Sequence, residues 1–344
     1  MTGTASRLVA AWYAPRPTVV STLLRPAAAL FGAAVALRRE MFRRGWRDSE
    51  RLPVPVVVVG NVTVGGAGKT PLALALADAL AARGRRPGFV SRGYGGGDEG
   101  PRAVIPTDDP HVVGDEPLLL AASGHPVWIA HRRVAAARGL VEANPQVDVI
   151  IADDGLQHYA LARDVEIAVV DAARGLGNGL MLPAGPLREP AARLTEVDAV
   201  VALVADRAAA AAFAPRGDAA RETAMWLEPA GWRNLRDPAR AAAPAQWPRG
   251  RIHAIAGIGR PERFFDTVRA LGIDAVCHPF PDHHPFVPAD LAFPGASAIL
   301  MTAKDAVKCA AFADERCWCL PVRAHLDPAL TERVLARLHG RQAA

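Results

Sequence analysis

The stretch VPVVVVGNVTVGGAGKTPLALALADAL, residues 54–80, decides the fold of this chain. Its β-branched run from Val56 to Val59 is typical of a strand buried on both faces of a parallel sheet. A glycine-rich turn follows. The alanine- and leucine-rich segment after Lys69 and Thr70 predicts a helix with Pro71 in its first turn. Strand, glycine loop and helix together are the context that a phosphate-binding loop requires.

One position departs from the usual loop pattern G-x-x-x-x-G-K-[ST], because Thr63 stands in the place of its first glycine. An ordinary glycine-rich turn is the alternative, but the flanking strand and helix favour a nucleotide site. Backbone N–H groups would face phosphate oxygens, Lys69 would reach the β- and γ-phosphates, and Thr70 would offer its hydroxyl to magnesium. The predicted ATP-binding residues are Thr63, Val64, Gly65, Gly66, Ala67, Gly68, Lys69 and Thr70.

Lysine is rare in this chain. Lysine and arginine together number 40, but only Lys69, Lys304 and Lys308 are lysines. This indicates a bias that replaces lysine by arginine wherever either side chain serves. A remaining lysine is therefore expected where a planar guanidinium does not fit, as in a phosphate-binding loop. For Lys304 two interpretations stay open, a place in the adenine pocket and a surface ion pair with Asp305.

Two acids follow another apolar run, VDVIIADD, at the end of a predicted buried strand. An acid at the carboxyl end of a neighbouring parallel strand is the expected partner of a phosphate-binding loop, because it holds magnesium directly or through water. A strand-end cap would explain Asp153 alone, but it explains a pair of carboxylates less easily. We therefore predict that Asp153 and Asp154 lie at a magnesium site.

The chain has 344 residues, and apolar strands alternate with alanine-rich helices, which predicts α/β layers. We expect a P-loop NTPase-like three-layer α/β/α domain over residues 51–245. A smaller α/β domain is expected over residues 246–344, after an alanine-, arginine- and proline-rich stretch. The four cysteines form no CxxC pair, which is typical of reduced thiols in a cytosolic protein.

The N-terminal segment, residues 1–50, is both basic and apolar. Residues 1–52 carry nine arginines and three acids, whereas the whole chain has a net charge of +5, so we expect no nucleic-acid partner for the core. The uncharged run from Pro26 to Leu37 is shorter than the roughly 20 residues that span a bilayer. We predict a helix on an anionic membrane surface, with a helix packed on the core as the alternative. Its predicted anchors are Trp12, Phe31, Phe42 and Trp46.

Seven motifs occur along the chain in the order NVTVGGAGKTP, SRGYGG, GDEP, DDGLQH, LPAGPLREP, FPDHHPF and MTAKDAVK. In this combination the chain resembles the tetraacyldisaccharide 4'-kinases, the lipid A 4'-kinases of Gram-negative bacteria, over about residues 8–335. Thr63 fits the loop variant of that family. We expect a monomer at the cytoplasmic face of the inner membrane. The resemblance implies ATP, Mg²⁺ and transfer of the γ-phosphate to the 4'-hydroxyl of a tetraacyl glucosamine disaccharide 1-phosphate, the lipid A precursor.

The same resemblance assigns roles to residues outside the loop. It implies Asp115 of GDEP as the catalytic base, His283 of FPDHHPF as the histidine that works with it, and Glu116 as a metal ligand. Because these residues lie in different domains, the two domains would close over ATP. Arg92 of SRGYGG would neutralise phosphate charge. The residues that line the substrate cleft by this resemblance are Tyr94, Gln157 and His158.

Each of these motifs also has a plainer interpretation. Asp115 and Glu116 could be acids favoured by a helix N-terminus, and the histidines beside two prolines could form a structural turn. Two other functions remain as alternatives. A membrane-recruited ATPase of the partitioning or assembly type usually carries an extra lysine before the loop glycines, and here that region reads GNVTVGG. A non-catalytic membrane scaffold would have no use for so many acid and histidine motifs.

Overall fold

The chain folds around two sheets of mainly parallel strands. The computed structural model describes residues 8–93, 100–215, 217–218, 220–237, 239–242, 247 and 251–342. The strands of the larger sheet are β1 (Val56–Gly60), β2 (Pro87–Ser91), β3 (Arg102–Val104), β4 (Val127–Ile129), β5 (Val149–Asp153), β6 (Val165–Asp171), β7 (Ala199–Leu203), β8 (Glu222–Pro229) and β15 (Val322–Leu326). Those of the smaller sheet are β9 (Trp232–Asn234), β10 (Ala241–Ala242), β11 (Arg251–Ala256), β12 (Ala275–Pro279), β13 (Ala296–Thr302) and β14 (Cys317–Leu320).

Helices lie between and around these strands. The N-terminal pair is α1 (Val19–Leu23) and α2 (Arg25–Arg43). The helices connected with the larger sheet are α3 (Lys69–Ala81), α4 (Pro110–Val113), α5 (Asp115–Ala121), α6 (Arg133–Ala143), α7 (Arg207–Ala211) and α10 (Pro328–Gln342). Those of the smaller sheet are α8 (Pro261–Ala270) and α9 (Ala303–Cys309).

The larger sheet has the order β15-β8-β7-β6-β1-β5-β2-β4-β3. Its edge strands β15 and β3 are antiparallel to their neighbours, and the pairs between them are parallel. The predicted run of valines forms the central strand β1, which is fully buried. Its alternate side chains pack on opposite faces, Val57 in one core with Leu72 of α3 and Val58 in the other with Leu140 of α6. The predicted three-layer α/β/α arrangement is confirmed.

The smaller sheet has the order β10-β9-β14-β13-β11-β12, and β11 to β14 pair in parallel. Its topology corrects the boundary expected at residue 246. Strands β9 and β10 precede that boundary but join the smaller sheet, whereas β15 and α10 follow it but return to the larger sheet. The reason is long-range pairing, since β15 lies antiparallel to β8, a strand far away in sequence. A local pattern of apolar residues does not reveal such a partner.

The N-terminal helices leave much apolar surface in contact with solvent. Leu23 of α1 and Leu30 and Leu37 of α2 are 59–75% exposed, and the spacing of seven residues places Leu30 and Leu37 on one face of α2. Trp46 is also exposed, as predicted for an anchor. Trp12 corrects that prediction, because it is buried and its Nε1 donates a hydrogen bond to the Pro183 carbonyl at 2.9 Å. Within the described part of the chain, no helix combines the length and the apolar character needed to cross a membrane.

Candidate active site

The glycine-rich loop connects β1 to α3 at the centre of the larger sheet. Gly65 and Gly68 have φ angles of 100° and 91°, which side chains other than glycine rarely adopt. Gly68 immediately precedes Lys69, the first residue of α3, so the loop amides stand at the positive end of this helix. The buried side chain of Asn61 steadies the turn by donating a hydrogen bond to the Gly65 carbonyl at 3.3 Å. This is the backbone arrangement that binds phosphate.

The structure explains why threonine can occupy the first glycine position. Thr63 pairs as an isolated antiparallel bridge with Leu187 of the LPAGPLREP motif. On either side of it, Val64 N donates to the Pro186 carbonyl at 2.8 Å and Arg188 N donates to the Val62 carbonyl at 2.7 Å. The backbone at Thr63 is therefore extended, where a β-branched residue is favoured. Two motifs that are distant in sequence build the start of the loop together.

Asp153, the last residue of β5, and Asp154, which follows it, contact the first two residues of α3. The Thr70 hydroxyl donates a hydrogen bond to Asp153 Oδ2 at 2.8 Å. The Lys69 ammonium lies 3.6 Å from Asp154 Oδ1, and Arg188 contacts both carboxylate oxygens of Asp154 at 3.2 Å. A threonine hydroxyl beside the acid of a neighbouring strand is the pair that holds magnesium in P-loop enzymes.

The pKa values of these two neighbouring carboxyl groups are shifted in opposite directions. Burial and the nearby charge of Glu116 raise the pKa of Asp153 to about 7. Burial would also raise the pKa of Asp154, but the charges of Lys69 and Arg188 lower it to about 2. Among the residues that the structure describes, no three His, Cys, Asp or Glu side chains are placed to hold a metal ion by themselves. A magnesium ion here would therefore need oxygen atoms of the nucleotide or water as further ligands.

Asp115 and His283 come together from elements that belong to the two different sheet regions. Asp115 is the first residue of α5, whereas His283 follows β12, and His283 Nδ1 lies 3.0 Å from Asp115 Oδ2. The other oxygen, Asp115 Oδ1, accepts a hydrogen bond from the Glu116 amide at 2.9 Å. His283 and Asp154 are the non-glycine residues with positive φ among those described, at 58° and 50°. Such strain of about 1–3 kcal/mol per residue is characteristic of functional sites.

Neighbouring charges and hydrogen bonds set the pKa values of Asp115 and His283. Burial would raise the pKa of Asp115, but the hydrogen bond with His283 and the charge of Lys304 keep it below its ordinary value. The hydrogen bond with Asp115 in turn raises the pKa of His283, against the opposing effects of burial and Lys304. Asp115 is therefore an ionised carboxylate at neutral pH, as a proton acceptor must be.

Lys304 does not form the surface ion pair with Asp305 that one interpretation of the sequence expected. Its ammonium faces the acids of the cleft, 3.6 Å from Glu116 Oε1 and 3.8 Å from Asp115 Oδ2. Asp305 turns away from it and pairs with Lys308 at 2.9 Å. The rarity of lysine was the sequence signal for these residues, but the pattern did not say what they contact.

The structure also places three other predicted residues. Gln157 Nε2 donates to the Asn61 carbonyl at 3.1 Å, next to the phosphate-binding loop. Arg92 directly follows β2, and its Nη2 lies 3.4 Å from His131 Nε2. His158 is half-buried. Tyr94 lies outside the described residues.

Two arginines in the site escaped the sequence reasoning. Arg133 Nη2 donates to the carbonyls of Asp153 and Asp154 at 3.1 and 2.7 Å, so it holds the turn after β5. Arg188 binds the Asp154 carboxylate, as described above. In a chain with 37 arginines, no local signal separates these two from the others.

The second sheet also covers the phosphate-binding loop. A Cβ atom on Gly259 would lie 3.1 Å from the amide nitrogen of Gly66, so the turn before α8 packs directly on the loop. Next to it, Arg260 Nη1 donates to Asp171 Oδ2, at the end of β6, at 2.7 Å. Both sheets therefore contribute to one cleft at the carboxyl ends of β1, β5 and β6.

A loop that binds phosphate, with a threonine–carboxylate pair beside it and an ionised acid across the cleft, defines a P-loop phosphotransferase. Comparison with known proteins then gives the family. The chain belongs to the Tetraacyldisaccharide-1-P 4'-kinase family, whose model matches residues 20–339.

Individual relatives are similar to this chain over nearly its whole length. The Tetraacyldisaccharide 4'-kinase of Chromobacterium violaceum is 51% identical over 339 residues, covering 96% of this chain and 98% of the relative. The Tetraacyldisaccharide 4'-kinase of an Azoarcus species is also 51% identical, over 94% of this chain and 93% of the relative. A crystal structure of LpxK from Aquifex aeolicus in complex with ATP superimposes with a TM-score of 0.73 at 26% identity, covering 93% of this chain and 100% of that one.

Proposed function

We propose that this chain transfers the γ-phosphoryl group of ATP to the 4'-hydroxyl of a tetraacyl glucosamine disaccharide 1-phosphate. The hydrogen bond between Asp115 and His283 carries this proposal, because it places an ionised base in the cleft of a phosphate-binding loop. The hydroxyl oxygen would attack the γ-phosphorus as its proton passes to Asp115, and the bond to the β-phosphate oxygen would break to release ADP. Lys69 would balance the charge of the transferred group.

Magnesium fits the residues that are present. The Thr70 hydroxyl and the Asp153 carboxylate are hard oxygen donors in direct contact, and Glu116 lies close enough to influence the pKa of Asp153. Asp154 would act at the edge of this site, since Lys69 and Arg188 already pair with it. A bound magnesium ion would neutralise charge on the phosphates, while these side chains hold the ion and orient its water ligands.

Positive charge near the cleft suits an acceptor that itself carries a phosphate. Burial and the charges of Arg133, Arg163, Arg38 and Arg92 lower the pKa of His158 to about 3, so this imidazole is neutral in a strongly positive field. Arg38 belongs to α2, and so the field extends from the cleft to the N-terminal helix. We propose that the phosphate of the sugar lipid is drawn into this region.

The N-terminal helix is held against the same part of the cleft. The ring of Phe42 lies 5.8 Å from that of Tyr159, which directly follows His158, and Arg39 forms an ion pair with Glu196. The exposed leucines of α1 and α2 and the arginines of α2 are typical of helices that lie on an anionic bilayer. We propose that α2 rests on the cytoplasmic face of the inner membrane, where a lipid headgroup can reach the site without leaving the bilayer.

We expect the triple variant Leu23→Gln, Leu30→Gln, Leu37→Gln to bind anionic vesicles at least about tenfold more weakly than the wild type. Each leucine would lose the free energy of leaving water, about 1.5–3 kcal/mol for full burial. Co-sedimentation with phosphatidylglycerol-containing vesicles measures the change. Ile105→Gln, Leu271→Gln is the matched control, because these exposed residues lie outside the helix. Equal loss of binding in the control, or none in the triple variant, would contradict the membrane role.

The function is tested with γ-labelled ATP and the purified full-length chain. We expect label in the lipid when tetraacyl disaccharide 1-phosphate is supplied in mixed micelles. A lipid that already carries a 4'-phosphate is the control, and it should receive none. Label that appears only as free phosphate would instead support a P-loop ATPase of the partitioning or assembly type.

A further inference from the structure

All three lysines of the chain lie in one cleft. Lys69 faces Asp154, as described above, while the ammonium groups of Lys304 and Lys308 lie 3.8 and 4.0 Å from Asp115 Oδ2. The other 37 of the 40 lysine and arginine residues are arginines. Lysine is thus retained at three positions that lie around the reacting groups. This indicates that each position requires a compact ammonium group.

Lys304 is surrounded by groups from both sheets. It lies near the start of α9, and its ammonium is 3.3 Å from His283 Nε2 and 3.5 Å from Asp282 Oδ1, both in the loop after β12. From the other side, Asp115 and Glu116 of α5 approach the same ammonium within 4.0 Å. An ammonium is a compact point charge with three rotatable donors, whereas a guanidinium holds its donors in one plane.

The contact between Lys304 and His283 favours one of the two ring nitrogens as the site of the proton, although Asp282 Oδ1 also lies 3.9 Å from Nε2. An ammonium group has only donors, so the Nε2 atom that faces it must present its lone pair. The proton of a neutral ring is then on Nδ1, where it donates to Asp115 Oδ2 at 3.0 Å. A second proton on Nε2 would point at the ammonium only 3.3 Å away. Lys304 therefore favours the one tautomer that orients the Asp115 carboxylate.

Lys308 has different partners although it lies one turn further along α9. Its ammonium is buried, pairs with Asp305 at 2.9 Å and lies 4.9 Å from the centroid of the Phe286 ring. Asp305 also accepts hydrogen bonds from the Gly257 amide and the Thr302 hydroxyl. These contacts join elements of the smaller sheet to one another. Lys304 is thus the lysine of α9 that contacts the imidazole.

We propose that Lys304 is a positioning residue for phosphoryl transfer: it fixes the imidazole of His283 in the Nδ1–H tautomer and so aims the Asp115 carboxylate at the acceptor hydroxyl. This role rests on the function proposed above. Lys304 lies on α9, which packs with the smaller sheet, and Asp115 lies on α5, which packs with the larger sheet. The base is therefore aligned only when the elements of both sheets form the cleft. No contact between Lys304 and the transferred phosphate is required.

The test compares Lys304→Met and Lys304→Arg with the wild type. We expect kcat to fall about 10- to 100-fold in both variants, the range seen when groups that orient an active-site side chain are removed. The KM for ATP and the melting temperature should change little. Arg269→Met, which removes an exposed cation of the same sheet, is the matched control. Full kcat in Lys304→Met, or full recovery in Lys304→Arg, would overturn the proposal.

A second comparison separates positioning from direct contact with phosphate. In the Asp115→Ala background, Lys304→Met should cost little further activity, because the carboxylate that it orients is already gone. An additive loss would show that Lys304 acts directly on the phosphate, and it would overturn the positioning role.

The ¹⁵N resonances of His283 give a readout that does not depend on turnover. Its signals are identified by their loss in His283→Gln. We expect the Nδ1–H tautomer in the wild type and a mixture of states in Lys304→Met, whereas an unchanged spectrum would overturn the proposal. If the wild type transferred no phosphate to the lipid, the proposed function would fail. The ¹⁵N measurement would still report whether Lys304 sets the tautomer.

Discussion

Lys69→Ala is expected to lower kcat by more than about 100-fold, a loss of roughly 2.7 kcal/mol in transition-state stabilisation. The ammonium is buried at the first position of α3, where it can follow the γ-phosphoryl group as negative charge redistributes during transfer. Initial rates at saturating ATP and lipid measure the effect. Arg83→Ala, which removes an exposed cation just beyond the other end of the same helix, is the control and should keep normal activity.

Lys69→Arg is expected not to restore activity. The Lys69 side chain is buried and its ammonium lies 3.6 Å from Asp154 Oδ1, so a longer and planar guanidinium would have to displace this contact. The bidentate geometry of arginine also differs from the point contact of an ammonium. Near-normal rates in the arginine variant would contradict both the loop assignment and the inference drawn from the rarity of lysine.

Local patterns were sufficient for the centre of the fold. A run of β-branched residues, a glycine turn and an alanine-rich helix are each encoded by neighbouring residues, and they predicted β1, the loop and α3 correctly. Asp153 was predictable for the same reason, because the carboxyl ends of parallel strands meet at one edge of a sheet. What failed was the boundary at residue 246, since β15 and α10 return to the larger sheet through pairing that no local window contains.

The sequence also predicted some features of the candidate site and missed others. The meeting of Asp115 and His283 followed from the resemblance to a family and not from spacing, because 168 residues separate them. Lys304 was marked by its residue type, but its partners come from two segments that are distant from it in sequence, α5 and the loop after β12. The prediction of Trp12 as a membrane anchor was wrong. An apolar pattern does not show which aromatic side chains pack against the protein, as Trp12 does, and which stay exposed.

Removal of either member of the Asp115–His283 pair should lower kcat by roughly 10²- to 10⁴-fold, the range of general base catalysis. A sugar hydroxyl is a poor nucleophile until its proton has an acceptor. Asp115→Ala removes the acceptor, and His283→Ala removes the hydrogen bond that orients it. Neither residue belongs to the phosphate-binding loop, so the KM for ATP should change little. Steady-state kinetics of both single variants and of the double variant measure these effects.

His284→Ala is the control for His283→Ala. The neighbouring imidazole turns the other way: its Nε2 lies 2.9 Å from Asp290 Oδ2, and its ring packs 4.6 Å from Phe280 and 4.8 Å from Phe286. We therefore expect His284→Ala to lower the melting temperature while kcat stays near that of the wild type. An inactive His284→Ala beside a fully active His283→Ala would move the role to the adjacent residue.

The double variant decides whether the two residues act together. If His283 works only by orienting Asp115, its removal costs nothing once the carboxylate is gone, so Asp115→Ala, His283→Ala should be scarcely worse than the poorer single variant. Independent contributions would instead multiply, and two losses of about 100-fold would give about 10⁴-fold. A multiplied loss would mean that the imidazole contacts the substrate itself, and the hydrogen bond between the two side chains would then have no part in the proton transfer.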